Sequence, residues 1–261
     1  MRVKITRSST HHPGVEKILA IDMKHEERTY RSLINKDNLT SYNVQIAESD
    51  LLISSDTNLT DEAFESLGRY RHSLETYIKN HPNFRSSLLP LPEDNLAPQI
   101  VRNMLLKSKI CGVGPMASVA GAISEYVGND LLRQTENIII ENGGDIFLKS
   151  KKELTVSVYA GVSPLSYKVN FIVKPEKTPL GICTSSATVG PSLSFGKADA
   201  VCVISPSATL ADAAASAIGN KVKSKIDIKR ALDFGIKIPE VTGIIIIIGN
   251  DMGAIGEVQF V

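Results

Sequence analysis

The sequence predicts an α+β fold, two interlocked subdomains built from mostly antiparallel strands with helices packed on one face of each. Three observations carry that reading. Short strand-like runs crowd both ends of the chain, a long stretch with helical periodicity follows the first group, and an Asn-Gly turn joins two aliphatic runs near the middle. With 261 residues, 43% of them hydrophobic, the chain has enough apolar material for a substantial core without crosslinks. It reads as a single domain over 1–261.

Val3 and Ile5, Ile18–Ile21, Tyr30–Ile34 and Val44–Ile46 are strand-like runs for which antiparallel pairing is the natural arrangement, and Leu51–Ile53 continues the pattern. Thr60 followed by Asp61 and Glu62 supplies an N-cap and an acidic first turn. Phe64, Leu67, Leu74, Tyr77 and Ile78 then recur on one face until Asn80, His81 and Pro82, which predicts a helix over Thr60–Lys79. Residues 83–98, with Pro90, Pro92 and Pro98, read as a loop-rich junction between the two subdomains. A second helix follows over Pro98–Lys107, with Pro98 in its first turn. Gly112, Gly114, Ala117, Ser118, Ala120, Gly121 and Ala122 leave little bulk on the opening turns of the next helix, so either another backbone or a flat ligand can approach it closely. Asn137–Ile140 and Ile146–Leu148 flank ENGGD and predict a hairpin. Strands follow at Leu154–Tyr159, Lys168–Val173, Leu180–Cys183 and Ala200–Ile204. Asp227 caps a short helix reaching Gly235, and strands Gly243–Ile248 and Ile255–Val261 close the chain.

The formal net charge is +1 and charged residues make up 22%, which is not the footprint of a nucleic-acid binder or of a polybasic membrane protein. The expected partner is a small phosphorylated ligand. The longest aliphatic run, Ile244–Ile248, is too short to span a bilayer, and MRVKITRSSTHHPG has no apolar stretch after its charges, so a cytoplasmic location is expected. Cys111, Cys183 and Cys202 lie far apart among apolar or small neighbours and read as buried thiols of a reducing compartment.

The densest chemistry lies in Gly181–Ser216. Thr184, Ser185, Ser186, Gly190, Ser192, Ser194 and Gly196 combine hydroxyls with glycine-freed amides, a composition suited to phosphate, although a hydroxyl cluster at a strand end is equally a solvated turn. Asp212 and Ser216, four apart, share one helical face, and such a pair suits a hard divalent cation. The competing arrangement makes Thr209 the N-cap and Asp212 a capping-box acid, with Ser216 bonding back to a carbonyl. Neither GxxxxGK[ST] nor a GxGxxG after a strand is present, so standard ATPase and Rossmann chemistry fits poorly.

Taken in order, GVGPMASVAGA, NGGDI, CTSS, ADAVCVI and LADAAASAI resemble the ApbE superfamily of FAD-dependent, magnesium-dependent flavin transferases. The sequence is most similar to an uncharacterised prokaryotic branch of that superfamily, a likeness that also takes in ERTYR, DLLIS and NFRSSLLPL. Likeness to the transferases themselves is confined to residues 110–220. The resemblance implies an ApbE-like fold with a cleft between its halves. It further implies a flavin site formed by Gly114, Asn142, Gly143, Gly144, Asp145, Thr184, Ser185 and Ser186, with Mg2+ on Asp212 and Ser216 and FAD or a related flavin as cofactor. Transferases of this kind attach the FMN part of FAD through a phosphoester to a Ser or Thr of another protein, magnesium offsetting the pyrophosphate charge. One departure stands out. Where the transferases carry a segment resembling H-x-x-D-P-x-T-G, this chain has GPSLSFGKAD, and all five histidines, His11, His12, His25, His72 and His81, fall in the first third. General acid–base assistance of that kind is worth on the order of 10² to 10⁴ in rate. Three functions follow: a magnesium-dependent phosphoester or FMN transferase, a non-catalytic cofactor-binding or assembly protein, and an enzyme acting on another heterocycle such as a pterin.

Overall fold

The computed structural model describes residues 39–187 and 195–261. The expected strands at Val3 and Ile5, Ile18–Ile21 and Tyr30–Ile34 lie outside the described residues, as do His11, His12, His25, Gly190, Ser192 and Ser194. The described chain opens with β1 (Thr40–Ile46) and β2 (Ser49–Ser55), followed by helices α1 (Thr60–Asn80), α2 (Asn83–Ser86) and α3 (Gln99–Cys111). A 3-10 turn at Pro115–Ser118 leads into α4 (Val119–Leu131). Next come β3 (Ile138–Asn142), β4 (Asp145–Lys149), β5 (Leu154–Ser157), β6 (Asn170–Val173), β7 (Leu180–Ser185) and β8 (Ala200–Ser205). Helices α5 (Ala208–Gly219) and α6 (Ile228–Gly235) precede β9 (Gly243–Ile248), β10 (Asp251–Gly256) and β11 (Gln259–Phe260).

Eight strands form one sheet in the order β1-β2-β3-β4-β7-β8-β9-β10, and β11-β6-β5 form a second. Every pairing is antiparallel. The α+β class is therefore as expected, with the helices gathered on one side: α1, α4, α5 and α6 pack on the large sheet, and the small sheet backs its other face. The alternation of side chains across a strand sorts the two cores. Val201 and Val203 of β8 and Ile244 and Ile246 of β9 face the helices; Ala200, Cys202, Ile204, Ile245 and Ile247 face the small sheet. A strand covered on both faces has no polar side to show, which is why β9 reads as unbroken isoleucine.

Local chemistry adjusts several boundaries. Thr60 is the first residue of α1 and not its cap; the Oδ1 of Asn58 accepts from the Thr60 amide at 3.0 Å and gathers the turn from outside the helix. The buried stripe of α1 runs through Ala63, Ser66, Leu67 and Leu74, so Phe64, expected in the core, is turned to solvent with 54% exposure. Pro98 caps α3, which continues to Cys111 and stops at Gly112 in the left-handed conformation. The 83–98 segment contains α2 and sends Phe84 and Ala97 into the helix-side core. Asp227 serves the turn before α6, its carboxylate accepting from the amides of Lys223 and Ser224 at 3.1 and 3.0 Å. The last expected strand is two: the chain breaks at Gly256 (φ 88°), where a Cβ would meet the Thr242 carbonyl at 2.2 Å, and β10 and β11 join different sheets. All three cysteines are buried and free. Among the described residues no single helix is long and apolar enough to cross a membrane.

Helix α5 lies so close to the sheet that Gly181 of β7 has no room for a side chain, since a Cβ there would sit 2.2 Å from Ala208 Cα. Gly181→Ala should therefore lower stability by about 1–3 kcal/mol through overpacking against backbone, read as a lower denaturant midpoint with an unchanged slope; an unchanged midpoint would show that α5 can move away freely.

Candidate functional site at the crossing of α5 over β4 and β7

Strand register assembles the site. Asn142 pairs with Asp145 across the β3–β4 hairpin, and Asp145 pairs with Cys183 on β7, so the three side chains form one row on the helix side of the sheet. The hairpin turn is Gly143 and Gly144 with φ of 66° and 101°, a two-residue connection that needs positive φ at both positions. The Gly144 amide is held by Glu141 Oε1 at 2.8 Å, which ties the turn to the strand before it. Above this row passes α5. Its sequence, ATLADAAASAIG, is nearly all small, and ten of its twelve residues are buried. The two that keep access to solvent are Asp212 and Ser216.

Asp212 does not cap its own helix. That role belongs to Ser207, whose Oγ accepts from the Leu210 amide at 3.3 Å. Asp212 Oδ2 instead accepts from the Gly121 amide at 2.9 Å, and the Ala120 amide also bonds the carboxylate, so Asp212 satisfies the first turn of α4. The capping-box alternative with Thr209 is thereby overturned, because the α5 start sits beside α4 and not beside its own N3 acid. Asn142 Nδ2 donates to the Ala120 carbonyl at 3.1 Å and fixes the same turn from the sheet. Gly121 is obligatory here: a Cβ would lie 2.3 Å from the Ala208 carbonyl and 2.8 Å from Asp212 Cβ.

Asp145 is buried and bonded to the Cys183 thiol and the Thr184 amide. Burial, then the nearby Asp212 charge, push its carboxyl well above the usual carboxylate range. Burial pushes Asp212 up to about 7 against the opposing pull of the two α4 amides. Cys183, between Asp145 and the Ala208 carbonyl at 3.3 Å, is also pushed up by burial and by both carboxylates, so it is a neutral thiol and no nucleophile. Among the described residues no Lys, Arg or His pairs with Asp145 or Asp212. Two close carboxylates without a cation share a proton; a divalent cation would replace it. Among the described residues no three His, Cys, Asp or Glu side chains gather as a metal cluster. Two carboxylates with a neighbouring hydroxyl do match magnesium, which takes one or two carboxylates and fills its other positions with water and phosphate oxygens.

The other expected residues divide by face. Ser185 lies on the helix side, its Oγ 3.6 Å from where a Gly219 Cβ would be, at the far end of α5. Thr184 pairs with Cys202 and bonds its thiol on the opposite side of the sheet, so Thr184 offers the site its backbone and not its hydroxyl. Ser186 follows the strand end and is partly exposed. Gly114 is buried, and a Cβ there would meet the Ser87 carbonyl at 1.8 Å; its missing side chain makes room for the 83–98 segment. His72 is exposed on α1 and His81 stacks on Tyr77 with ring centroids 4.1 Å apart, so neither reaches the carboxylate pair. The residue that sequence reasoning missed is Glu125 of α4. Its Oε2 accepts from the Ser207 hydroxyl, the Thr209 amide and the Thr209 hydroxyl at 2.9, 2.8 and 2.9 Å. The signal was there: α5 opens on Ser-Ala-Thr without an acid of its own in the first turn, leaving donors that some carboxylate had to meet.

Residues 31–237 match the family described as "AbpE bacteria". The chain belongs to that ApbE-related family. The UPF0280 protein MJ1526 of Methanocaldococcus jannaschii is 42% identical over 219 residues, covering 82% of this chain and 89% of that one. A UPF0280 protein of Methanocella arvoryzae is 40% identical over 214 residues, covering 82% and 87%. Among solved structures, the flavinyl transferase ApbE of Pseudomonas stutzeri aligns with a TM-score of 0.56 at 12% identity, over 84% of this chain and 94% of its own. The ApbE protein of Thermotoga maritima aligns with a TM-score of 0.52 at 13% identity, over 82% and 96%. The chain thus has a fold similar to that of ApbE; within it, the Asp145–Asp212 pair lies where this chain's β3–β4 hairpin, β7 and α5 meet.

Because folding raises the Asp212 pKa from 3.8 to about 7, the folded state holds its proton more tightly than the unfolded chain does. The metal-free protein should lose that contribution as pH rises from 4 towards 7. Asp212→Asn keeps an oxygen for the Gly121 amide and removes the buried charge. In chelator, its melting temperature should come nearest the wild type near pH 4 and exceed it increasingly up to pH 8; a variant that instead falls behind as pH rises would show an ionised, well-paired Asp212.

Proposed function

We propose that this protein binds a flavin nucleotide or a related phosphorylated cofactor together with magnesium, in the manner of a phosphoester or FMN transferase. The observation that carries the reading is that the only two residues of α5 not fully buried are Asp212 and Ser216, with the Asp212 carboxylate close to that of buried Asp145 and neither carboxylate paired with a base among the described residues. Asp212 and Asp145 would hold the cation, with the Ser216 hydroxyl one turn further along α5. Magnesium bound there would neutralise pyrophosphate charge on the cofactor. Gly143 and Gly144 expose backbone beside it, and Ser185 and Ser186 continue the polar rim past the end of β7. The fold shared with the flavinyl transferase ApbE of Pseudomonas stutzeri supports flavin as the cofactor; a small phosphorylated ligand and a cytoplasmic location are part of this proposal.

A second reading, a binder without transfer chemistry, is favoured by one specific observation: His72 is exposed on α1 and His81 is exposed just past its end, stacked on Tyr77, so the acid–base group of the transferase pattern has no counterpart at the pair among the described residues. Calorimetric titration of the full chain with FAD, FMN and a pterin nucleotide, with and without magnesium, tests the shared part. FAD should bind only with magnesium, and Asp212→Asn should abolish that binding while the protein stays folded; FAD affinity indifferent to both would overturn the proposal. Chromatography for released AMP then separates transfer from binding alone.

A further inference from the structure

Helices α4 and α5 hold each other by their first turns. Asp212 of α5 accepts from the Gly121 amide of α4 at 2.9 Å, and Glu125 of α4 accepts from the Thr209 amide of α5 at 2.8 Å. Glu125 takes two further donors with the same oxygen, the hydroxyls of Ser207 and Thr209, both at 2.9 Å. Asn103 of α3 adds a 3.2 Å bond to the Thr209 hydroxyl. Three donors converging on one carboxylate oxygen make a strong, directional tie, strengthened by the positive end of the α5 dipole. Thr209 is three residues before Asp212, less than one helical turn away.

We infer that Glu125 is a positioning residue for the cation site: it fixes the start of α5 on α4 and so sets where Asp212 and Ser216 stand relative to Asp145. This rests on the reading of Asp145, Asp212 and Ser216 as a magnesium site. The close approach at Ala208 fixes how near α5 lies to the sheet and to α4. The hydrogen bonds at Glu125 add a directional tie at the start of the helix, within one turn of Asp212. Residues that orient metal ligands without touching the metal typically change affinity 10–100-fold when removed.

Magnesium affinity, measured by calorimetry on the full chain without cofactor, tests the inference. Glu125→Ala should weaken the magnesium dissociation constant by roughly tenfold or more, and Glu125→Gln should weaken it less, because the amide oxygen still accepts from the Thr209 amide. Asp56→Ala is the matched control. Asp56 is another carboxylate acceptor, bonded to Thr135, to the amides of Glu136 and Asn137 and to the Asn137 side chain, in a turn between β2 and α1. Its loss should lower the melting temperature and leave magnesium affinity unchanged. Wild-type protein that binds magnesium with Glu125 variants that bind it equally well would overturn this inference alone. Wild-type protein that binds no magnesium would overturn the cation site and the inference together.

Discussion

The arrangement depends on a close approach of backbones around Ala208. Gly181 from the sheet and Gly121 from α4 both give up their side chains at this one residue, and the Cys183 thiol bonds its carbonyl. Any Cβ at either glycine would push α5 outwards. The consequence is polar as well as steric. Only at this separation can the Asp212 carboxylate reach the α4 amides while remaining close enough to Asp145 to raise its pKa. The small residues from Gly112 to Ala122 that lead into α4 were open to two explanations, tight packing or ligand contact. Packing is what they do directly, and the charged site is what that packing makes room for.

Electrostatically the two helices are unequal partners. Glu125 and Asp212 each lie at the positive end of the neighbouring helix, where a carboxylate is favoured. Asp145 has a thiol and one amide instead, inside the core, where burial and then the Asp212 charge push its carboxyl well above the usual carboxylate range. The site therefore stores an unfavourable charge pairing at the point where the fold is otherwise most tightly packed. Such a concession, set among satisfied hydrogen bonds, is typical of positions retained for chemistry and not for stability.

Much of this was legible in the sequence. Periodicity located α1, Pro98 marked the start of α3, the Asn-Gly signal located the β3–β4 hairpin, and the i,i+4 spacing put Asp212 and Ser216 on one face of α5, the face that is not fully buried. What periodicity could not supply was which face of a strand looks at which layer. Thr184 and Ser185 are adjacent hydroxyls that the sequence places after a strand ending at Cys183; β7 runs on to Ser185, so strand alternation puts them on opposite sides of the sheet. Phe64 failed for a related reason: helix rotation is set by tertiary packing, and the face α1 buries runs through Ala63, Ser66, Leu67 and Leu74, leaving Phe64 outside it. The unmet donors at the start of α5 called for a carboxylate without saying which, and Glu125 meets them from another helix, 82 and 84 residues away in the chain.

The middle-layer strand β9 carries a cost of its own. Five consecutive isoleucines without a charge or proline make a segment that would readily pair with copies of itself if an edge became available. In the folded chain β8 occupies one edge and β10 the other. Of the two, β10 is the weaker guard: it lies at the margin of the sheet, is largely solvent-accessible, and includes Gly253 and Gly256. Self-association of this protein under stress would then begin with the peeling of that border strand, long before the carboxylate pair at the centre is disturbed.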